Sequence, residues 1–311
     1  ARVNAMDVNG GIEERHQTVS GSFYATAAFL IWGGFPAYFK LLDAVPTLEL
    51  LAHRISWSVV IPLLILFLFR PWKSIIKILK NTRKMKILCL SAMLIAANWY
   101  LFIWAATNNH VLDSSLGYFI APLFSIFLGV IILGEKLRIM QWAALAITVV
   151  GVAVLVIQYG QIPWIAILIA ITFSSYALIR KVVNVDPSTG LFFETTMSLP
   201  ITVGYLSYLG YMGSGSFISS GVNSSLLLIG TGLISTLPLL FFIASAKRLK
   251  LTSLGFFQYL LPTCHFVLAV WIYKEPFSYT QLISFACIWI ALAIYTFDIF
   301  RNSNDKNVFS R

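Results

Sequence analysis

The chain has 311 residues, of which 59% are hydrophobic and 11% charged, with a mean hydropathy of +0.83. A soluble domain carries about 45–50% apolar and about 25% charged residues. Here the apolar surplus falls in runs near twenty residues, the length that ~30 Å of hydrocarbon requires at 1.5 Å rise per residue. A soluble protein is excluded and the bilayer is the solvent. The net charge of +10 would point to nucleic acid in a soluble chain. In a membrane chain it reports orientation instead, so no nucleic-acid partner is expected.

Residues 1–20 are polar, carry Glu13, Glu14 and Arg15 and have no apolar centre, unlike a signal peptide. The first apolar run is therefore expected to remain as an uncleaved anchor, with Met6 a candidate natural start. Spans are predicted at 21–40, 46–69, 86–107, 111–134, 138–157, 162–182, 188–210, 224–246, 251–273 and 279–300. Most connections are a few residues long, which makes consecutive helices antiparallel neighbours. The exceptions are a basic loop at 70–85 and a Gly/Ser loop at 211–223. Cys89, Cys264 and Cys287 all lie within apolar runs and offer neither a disulfide framework nor a metal site. No metal and no cofactor are expected.

The Lys and Arg residues sort by side. Of 22, nineteen fall at the termini or in the loops around 70–86, 136–138, 180–181 and 247–250, all on one side of a ten-span chain. Only Lys40 and Lys274 fall on the other, and only Arg54 lies within a span. Both termini are thus expected in the cytoplasm.

A gap-free shift of 140 residues aligns spans 1–5 with spans 6–10. It pairs Pro122 with Pro262, Glu135 with Glu275 and Gln141 with Gln281, along with apolar matches such as Phe102 with Phe242. Leu, Val and Ala matches are cheap in this composition, but Pro, Glu and Gln are scarce. Because each half holds an odd number of spans, the second must be inverted. The expected fold is all-α and polytopic, with ten transmembrane helices as two inverted five-helix repeats at 21–157 and 162–300. A polar stretch at 1–20 precedes them and a tail at 301–311 follows. Inverted repeats place a solute site at their interface near mid-membrane and permit alternating access.

The stretches IWGGFPAYFK (31–40), HRISWS (53–58), NWYLFIWA (98–105), SLGYFIAPL (115–123), LGEKLRIMQW (133–142) and LTSLGFFQYLLPT (251–263) resemble the RarD branch of the EamA family. That family lies within the drug/metabolite transporter superfamily. The resemblance runs from about residue 21 to 300. It implies two EamA repeats, a bacterial inner membrane and a permease role, with amino-acid-like metabolites or chloramphenicol-type drugs as candidate cargo.

Arg54 and Glu194 stand at the same offset of 140, each several residues inside a span. The expectation is that both face the interface between the halves, pairing or polarising a wet cavity; the alternative is that each snorkels or bonds a carbonyl. Pro122 and Pro262 interrupt spans 4 and 9 symmetrically, with Gly117 and Gly255 ahead of them, a pointer to a transport site. Trp32, Asn98, Trp99, Trp104, Tyr118, Tyr176, Gln258 and Tyr259 are candidate cavity walls. His265 is a candidate proton relay, against an ordinary buried histidine, and His53 is expected near the outer interface.

Glu135 and Glu275, the latter followed by Pro276, are expected to be helix-corner structure rather than coupling groups. Asp113 and Glu49 are expected to be solvated near interfaces. Trp72, Trp142 and Trp164 read as interfacial belt.

The leading class is a secondary transporter of a small organic substrate. Protons are a candidate co-substrate, with Glu194 the best acid for coupling; otherwise the chain is a facilitator or exchanger. No nucleotide-binding GxxxxGK[ST] loop supports ATP-driven transport, and no HExxH or GxSxG supports an intramembrane enzyme. A receptor or scaffold has no need of an inverted repeat. Cargo, direction and oligomeric state are not legible.

Overall fold

The structure is a computed structural model describing residues 5–69, 72–107, 111–217, 219, 221–272, 274 and 278–308. Among the described residues every regular element is helical. In hydrocarbon no water is available for exposed N–H and C=O groups, and a helix satisfies them within one segment.

The helical rods are α1 (Ala5–Gly33, continued by Phe35–Phe39), α2 (Thr47–Ser58 and Val60–Phe69), α3 (Thr82–Thr107), α4 (Val111–Ile131) and α5 (Ile139–Tyr159). The second half holds α6 (Trp164–Val182), α7 (Pro187–Tyr211), α8 (Val222–Arg248), α9 (Leu251–Gln258, Leu260–Val267 and a π turn Leu268–Ile272) and α10 (Tyr279–Val308). Eight rods are long and apolar enough to cross a membrane. The apolar part of α4, Ser115–Ile131, is shorter, and α7 is diluted by Ser, Thr, Gly and Glu194. The chain is a multi-pass membrane protein. Helix α1 starts at Ala5, well before the apolar run at 21, because a membrane helix can continue into a polar extension.

Three expected continuous spans are broken, at Gly34, Val59 and Tyr259, each two or three residues before a proline. Pro62 has no N–H for the carbonyl of Ser58, and Thr236 Oγ1 on α8 donates to it at 3.1 Å. The break in α9 falls at Tyr259, three residues before Pro262. Pro122, by contrast, stays inside a helix assigned as unbroken. Tyr259 Oη donates at 3.1 Å to the carbonyl of Phe119, a turn before Pro122. Phe119 and Tyr259 are themselves 140 residues apart, so equivalent positions of the two halves touch.

The helix packing maps onto itself when the halves are exchanged. Helix α1 packs on α8 and α6 on α3; α4 on α6 and α9 on α1; α2 on α8 and α7 on α3. The self-equivalent pairs α2–α7, α4–α9 and α5–α10 also pack together. Each of these three is antiparallel. Along α4–α9, Ser125 meets Gln258 and Glu135 meets Leu251 and Thr252. Along α5–α10, Arg138 meets Asp298 and Gly151 meets Ser284. Along α2–α7, Ser56 meets Thr202 while Glu49 meets Ser216 just beyond α7. Equivalent helices that run antiparallel make the halves inverted.

These contacts also sort the helix ends. Lys84 reaches Asn184, Lys181 reaches Ala246, and Arg248 covers the Tyr24 ring, gathering the basic loops on one face. On the opposite face, Tyr38 donates to Leu227 O and Leu42 packs on Leu228.

Close approach along α4–α9 depends on Gly255, where a Cβ would meet Ile126 Cγ1 at 2.7 Å and the Pro122 carbonyl oxygen at 2.9 Å. Gly255→Leu is expected to destabilise the fold by about 1–3 kcal/mol through overpacking, read as a lower thermal midpoint in detergent. Gly204→Ala on α7, with nothing within 4 Å, is the control and is expected to leave that midpoint unchanged or slightly raised.

Candidate functional site

Between the halves lies a cavity of about 350 Å³, within the ~300–1,000 Å³ typical of small-molecule sites. Helix α1 contributes Phe29, Trp32, Phe35, Pro36 and Phe39, and α2 contributes Thr47, Leu50, Leu51 and Arg54. Helix α3 supplies Ile95, Asn98, Trp99 and Phe102, with Tyr118 and Ala121 from α4, Ile169 and Phe173 from α6, and Gln258, Leu261 and His265 from α9. The lining reaches Phe39 and Thr47, at helix ends on the face opposite the basic loops. Towards the basic face it ends in packed rings: Phe242 lies 5.1 Å from Phe173 and 5.9 Å from Phe29, and stacks on Tyr176.

Here the two-fold relation breaks. Helix α6 packs on α8, and those rings seal the contact. The equivalent helices α1 and α3 stand on opposite walls of the cavity. Phe102, the counterpart of Phe242, lines the open space.

Arg54 is the one charged side chain in the wall among the described residues. It is 7% exposed, and a cation at such depth costs a few kcal/mol, ~2.5–3.5 on insertion scales. Nε donates to Ser235 Oγ at 2.7 Å. The guanidinium carbon lies 4.5 Å from the Trp99 ring centroid, 5.4 Å from Phe35 and 5.9 Å from Phe39. Ring quadrupoles offset part of that cost.

The polar wall groups are tied back into the scaffold. Asn98 Nδ2 donates to Ile169 O at 2.9 Å and to Thr172 Oγ1 at 3.0 Å. Gln258 Nε2 donates to Ser125 Oγ at 2.8 Å, which donates to Ser174 Oγ, which donates to Ala121 O. Gln258 Oε1 and His265 Nε2 have no hydrogen-bond partner among the described residues and are shielded from the open space.

Of the sequence candidates, Trp32, Asn98, Trp99, Tyr118, Gln258, His265 and Arg54 line the cavity. Trp104 points outward at 36% exposure, because it lies on the face of α3 turned from the interface. Tyr259 is fully buried on the two-fold axis, where its hydroxyl serves the Phe119 carbonyl. Pro122 and Pro262 shape α4 and α9 without reaching the lining.

Tyr176 and Glu194 belong to a second buried cluster. Tyr176 Oη donates to Glu194 Oε2 at 3.1 Å and Ser91 Oγ donates to Oε1. Arg180 Nη1 lies 3.4 Å from Oε1, an ionic contact without hydrogen-bond geometry. Arg54 and Glu194 therefore do not pair. The repeat survives in a looser form: Arg54 bonds α8 through Ser235, while Glu194 bonds α3 through Ser91, the equivalent helix one turn out of step.

Other expectations are corrected. Arg180 is fully buried rather than a loop cation, because Gly190 brings the α7 backbone against its guanidinium. Glu49 is buried, not solvated; Oε2 accepts from Ser216 Oγ at 2.9 Å and Oε1 from Phe217 N at 3.3 Å, closing the turn after α7. His53 is buried against Phe217, in the turn after α7. Glu135 is structural as expected, but it caps the opposite half: Oε1 and Oε2 accept from Leu251 N at 2.7 Å and Thr252 N at 2.8 Å. Trp142 and Trp164 are exposed. Glu275 and Pro276 lie outside the described residues, as do the side chains of Asp113 and Trp72.

Sequence reasoning missed Ser235, Ser91 and the cage rings Phe35 and Phe39. The rings carried a signal, being four apart in FPAYF and so on one helical face. The serines carried none, since a mid-span serine usually bonds its own helix.

A sequence model of the EamA-like transporter family matches residues 19–157. Over 282 residues the chain is 43% identical to protein RarD of Escherichia coli K12, covering 91% of this chain and 95% of that protein. The chain belongs to the RarD branch of the EamA family. An uncharacterized transporter of Vibrio cholerae is 42% identical over 285 residues, 92% of this chain and 94% of its own. One solved crystal structure shares the fold at 16% identity with a TM-score of 0.67, over 90% of this chain and 98% of its own. A general transporter role follows from the family.

The Arg180–Glu194 pair is 0% and 1% exposed at its side chains. Glu194→Ala is expected to cost about 3–5 kcal/mol by leaving a buried guanidinium uncompensated. The double variant Arg180→Met/Glu194→Leu is expected to recover most of that loss, with both followed by thermal unfolding in detergent.

Proposed function

We propose that the protein is a secondary transporter in a bacterial cytoplasmic membrane, both termini cytoplasmic, exposing a central cavity alternately to either side. The observation that carries this reading is the broken two-fold relation: α6–α8 closed by Phe242 on the basic face, α1 and α3 parted around Phe102 on the other. In an inverted repeat, the halves can exchange conformations. The alternate state would then pack Phe102 against α1 and part α6 from α8. The sorting of Lys and Arg supports the orientation, and it makes the described state the one that reaches towards the periplasm.

The ten spans divide into repeats at 21–157 and 162–300 in this reading. The cargo is a small organic molecule with a flat apolar body, since the wall is mostly apolar and rich in aromatic rings, with a few fixed polar groups. Amino-acid-like metabolites and chloramphenicol-type drugs are the classes to screen first. If protons drive the cycle, the route runs through Glu194, which the Phe173, Phe242 and Tyr176 rings screen from the cavity here. Loss of pH-gradient dependence in Glu194→Gln would mark that route, and its persistence would leave a facilitator or exchanger.

Counterflow in proteoliposomes tests transport directly. With the native cysteines removed, the Phe173→Cys/Phe242→Cys pair is expected to lose flux when bridged by a short bifunctional methanethiosulfonate and to regain it on reduction. Unchanged flux through the cross-linked protein would refute alternating access. Absence of flux for every solute screened would favour a receptor or scaffold.

A further inference from the structure

We infer that the cavity binds an organic anion, a carboxylate carrying a flat apolar body, with Arg54 as its counter-ion. The inference rests on the transporter reading for its purpose but on the electrostatics of the wall for its content.

The two buried arginines of the bundle are treated differently. Arg180 faces Glu194, so its charge is neutralised inside the protein. Arg54 forms no ion pair among the described residues, and the described cavity wall contains no Asp or Glu. Its Nε is committed to Ser235, while the two terminal nitrogens have no hydrogen-bond partner among the described residues. A guanidinium presents its donors as a planar fork matched to the two oxygens of a carboxylate. Here the rings of Trp99, Phe35 and Phe39 hold the fork in place from around it. They supply aromatic surface for the ligand's body but no acceptor for those N–H groups.

The remaining polar atoms narrow the class. Gln258 Oε1 and His265 Nε2, without a hydrogen-bond partner among the described residues, are shielded from the open space. Neither carries the negative charge that a ligand ammonium would need. A cation is repelled by Arg54. A zwitterion satisfies Arg54 but strands its ammonium in a wall without a carboxylate, where desolvation of an unpaired charge is heavily penalised. A neutral molecule leaves the guanidinium as unpaired as it is empty. A monoanion alone settles both the charge and the donors.

The test is a matched series on the purified full chain, with binding read by tryptophan quenching and movement by counterflow in proteoliposomes. The probes are 3-phenylpropionate, its amide, phenethylamine, phenylalanine and chloramphenicol. Wild type is expected to bind 3-phenylpropionate at least tenfold tighter than its amide and tighter than the other three. Arg54→Gln is expected to bring acid and amide within about twofold, and Arg54→Lys to keep an intermediate preference.

Equal binding of acid and amide by wild type, an undiminished preference in Arg54→Gln, or no binding of the acid would each overturn the proposal. The wild-type comparison stands even if a variant misfolds. Flux without acid preference would sink the anion site and leave transport intact. Selective binding of the acid without flux would sink transport and leave the site.

Discussion

The antiparallel seam between α4 and α9 is the constraint on which the rest depends. Two equivalent helices cross on the axis that relates the halves, and each carries a proline that removes a backbone donor. In hydrocarbon backbone groups outside the regular helix ladder have no water to turn to, so bonds supplied by the partner half carry weight. Tyr259 adds a bond to the Phe119 carbonyl, next to the one that Pro122 leaves free, and Glu135 accepts from the free N–H groups at the start of α9. Gly255 sets the distance at which these bonds can be made. The halves are therefore joined by bonds that each makes to the other's backbone, while the flanking helices pack differently in the two halves.

Those flanking helices do differ. Packing of α6 on α8 encloses aromatic rings on the basic face, and the equivalent pair leaves a cavity. Ring stacks suit such a closure because they bury much area with few torsions to fix. The same sequence elements thus appear once closed and once open within one molecule, which is why the asymmetry says more about function than the cavity does.

The two buried arginines complete the picture. A membrane protein can carry an internal guanidinium by pairing it or by keeping it for a ligand. Arg180 follows the first course against Glu194, on the sealed side. Arg54 lies at the open side, under three rings and one hydroxyl, with no acidic partner among the described residues. Their contrast within one scaffold makes the unpaired cation a property of the cavity rather than a general tolerance of the fold.

Hydrophobic run lengths, basic-loop sorting and the 140-residue offset together determined a great deal: a multi-pass helical protein, its inverted halves, the helix ends sharing a face, and the branch of its family. They could do so because lipid imposes one rule on every span, that it be apolar and helical, and composition alone records compliance. Part of the cavity wall was legible too, since Trp32, Asn98, Trp99, Tyr118 and Arg54 are polar or aromatic groups placed where lipid does not ask for them, whereas its aliphatic residues and the Phe35 and Phe39 rings were not. Partnership was decided only by the tertiary structure. Glu194 went to Arg180 and not to Arg54, Tyr259 went to a backbone carbonyl and not to the cavity, and Trp104 turned outward from the helix that aims Trp99 inward. Each of those outcomes depends on helix rotation about its axis and on which neighbour comes within 3 Å. Those quantities are set by side-chain packing across the whole interface, and no single span contains them.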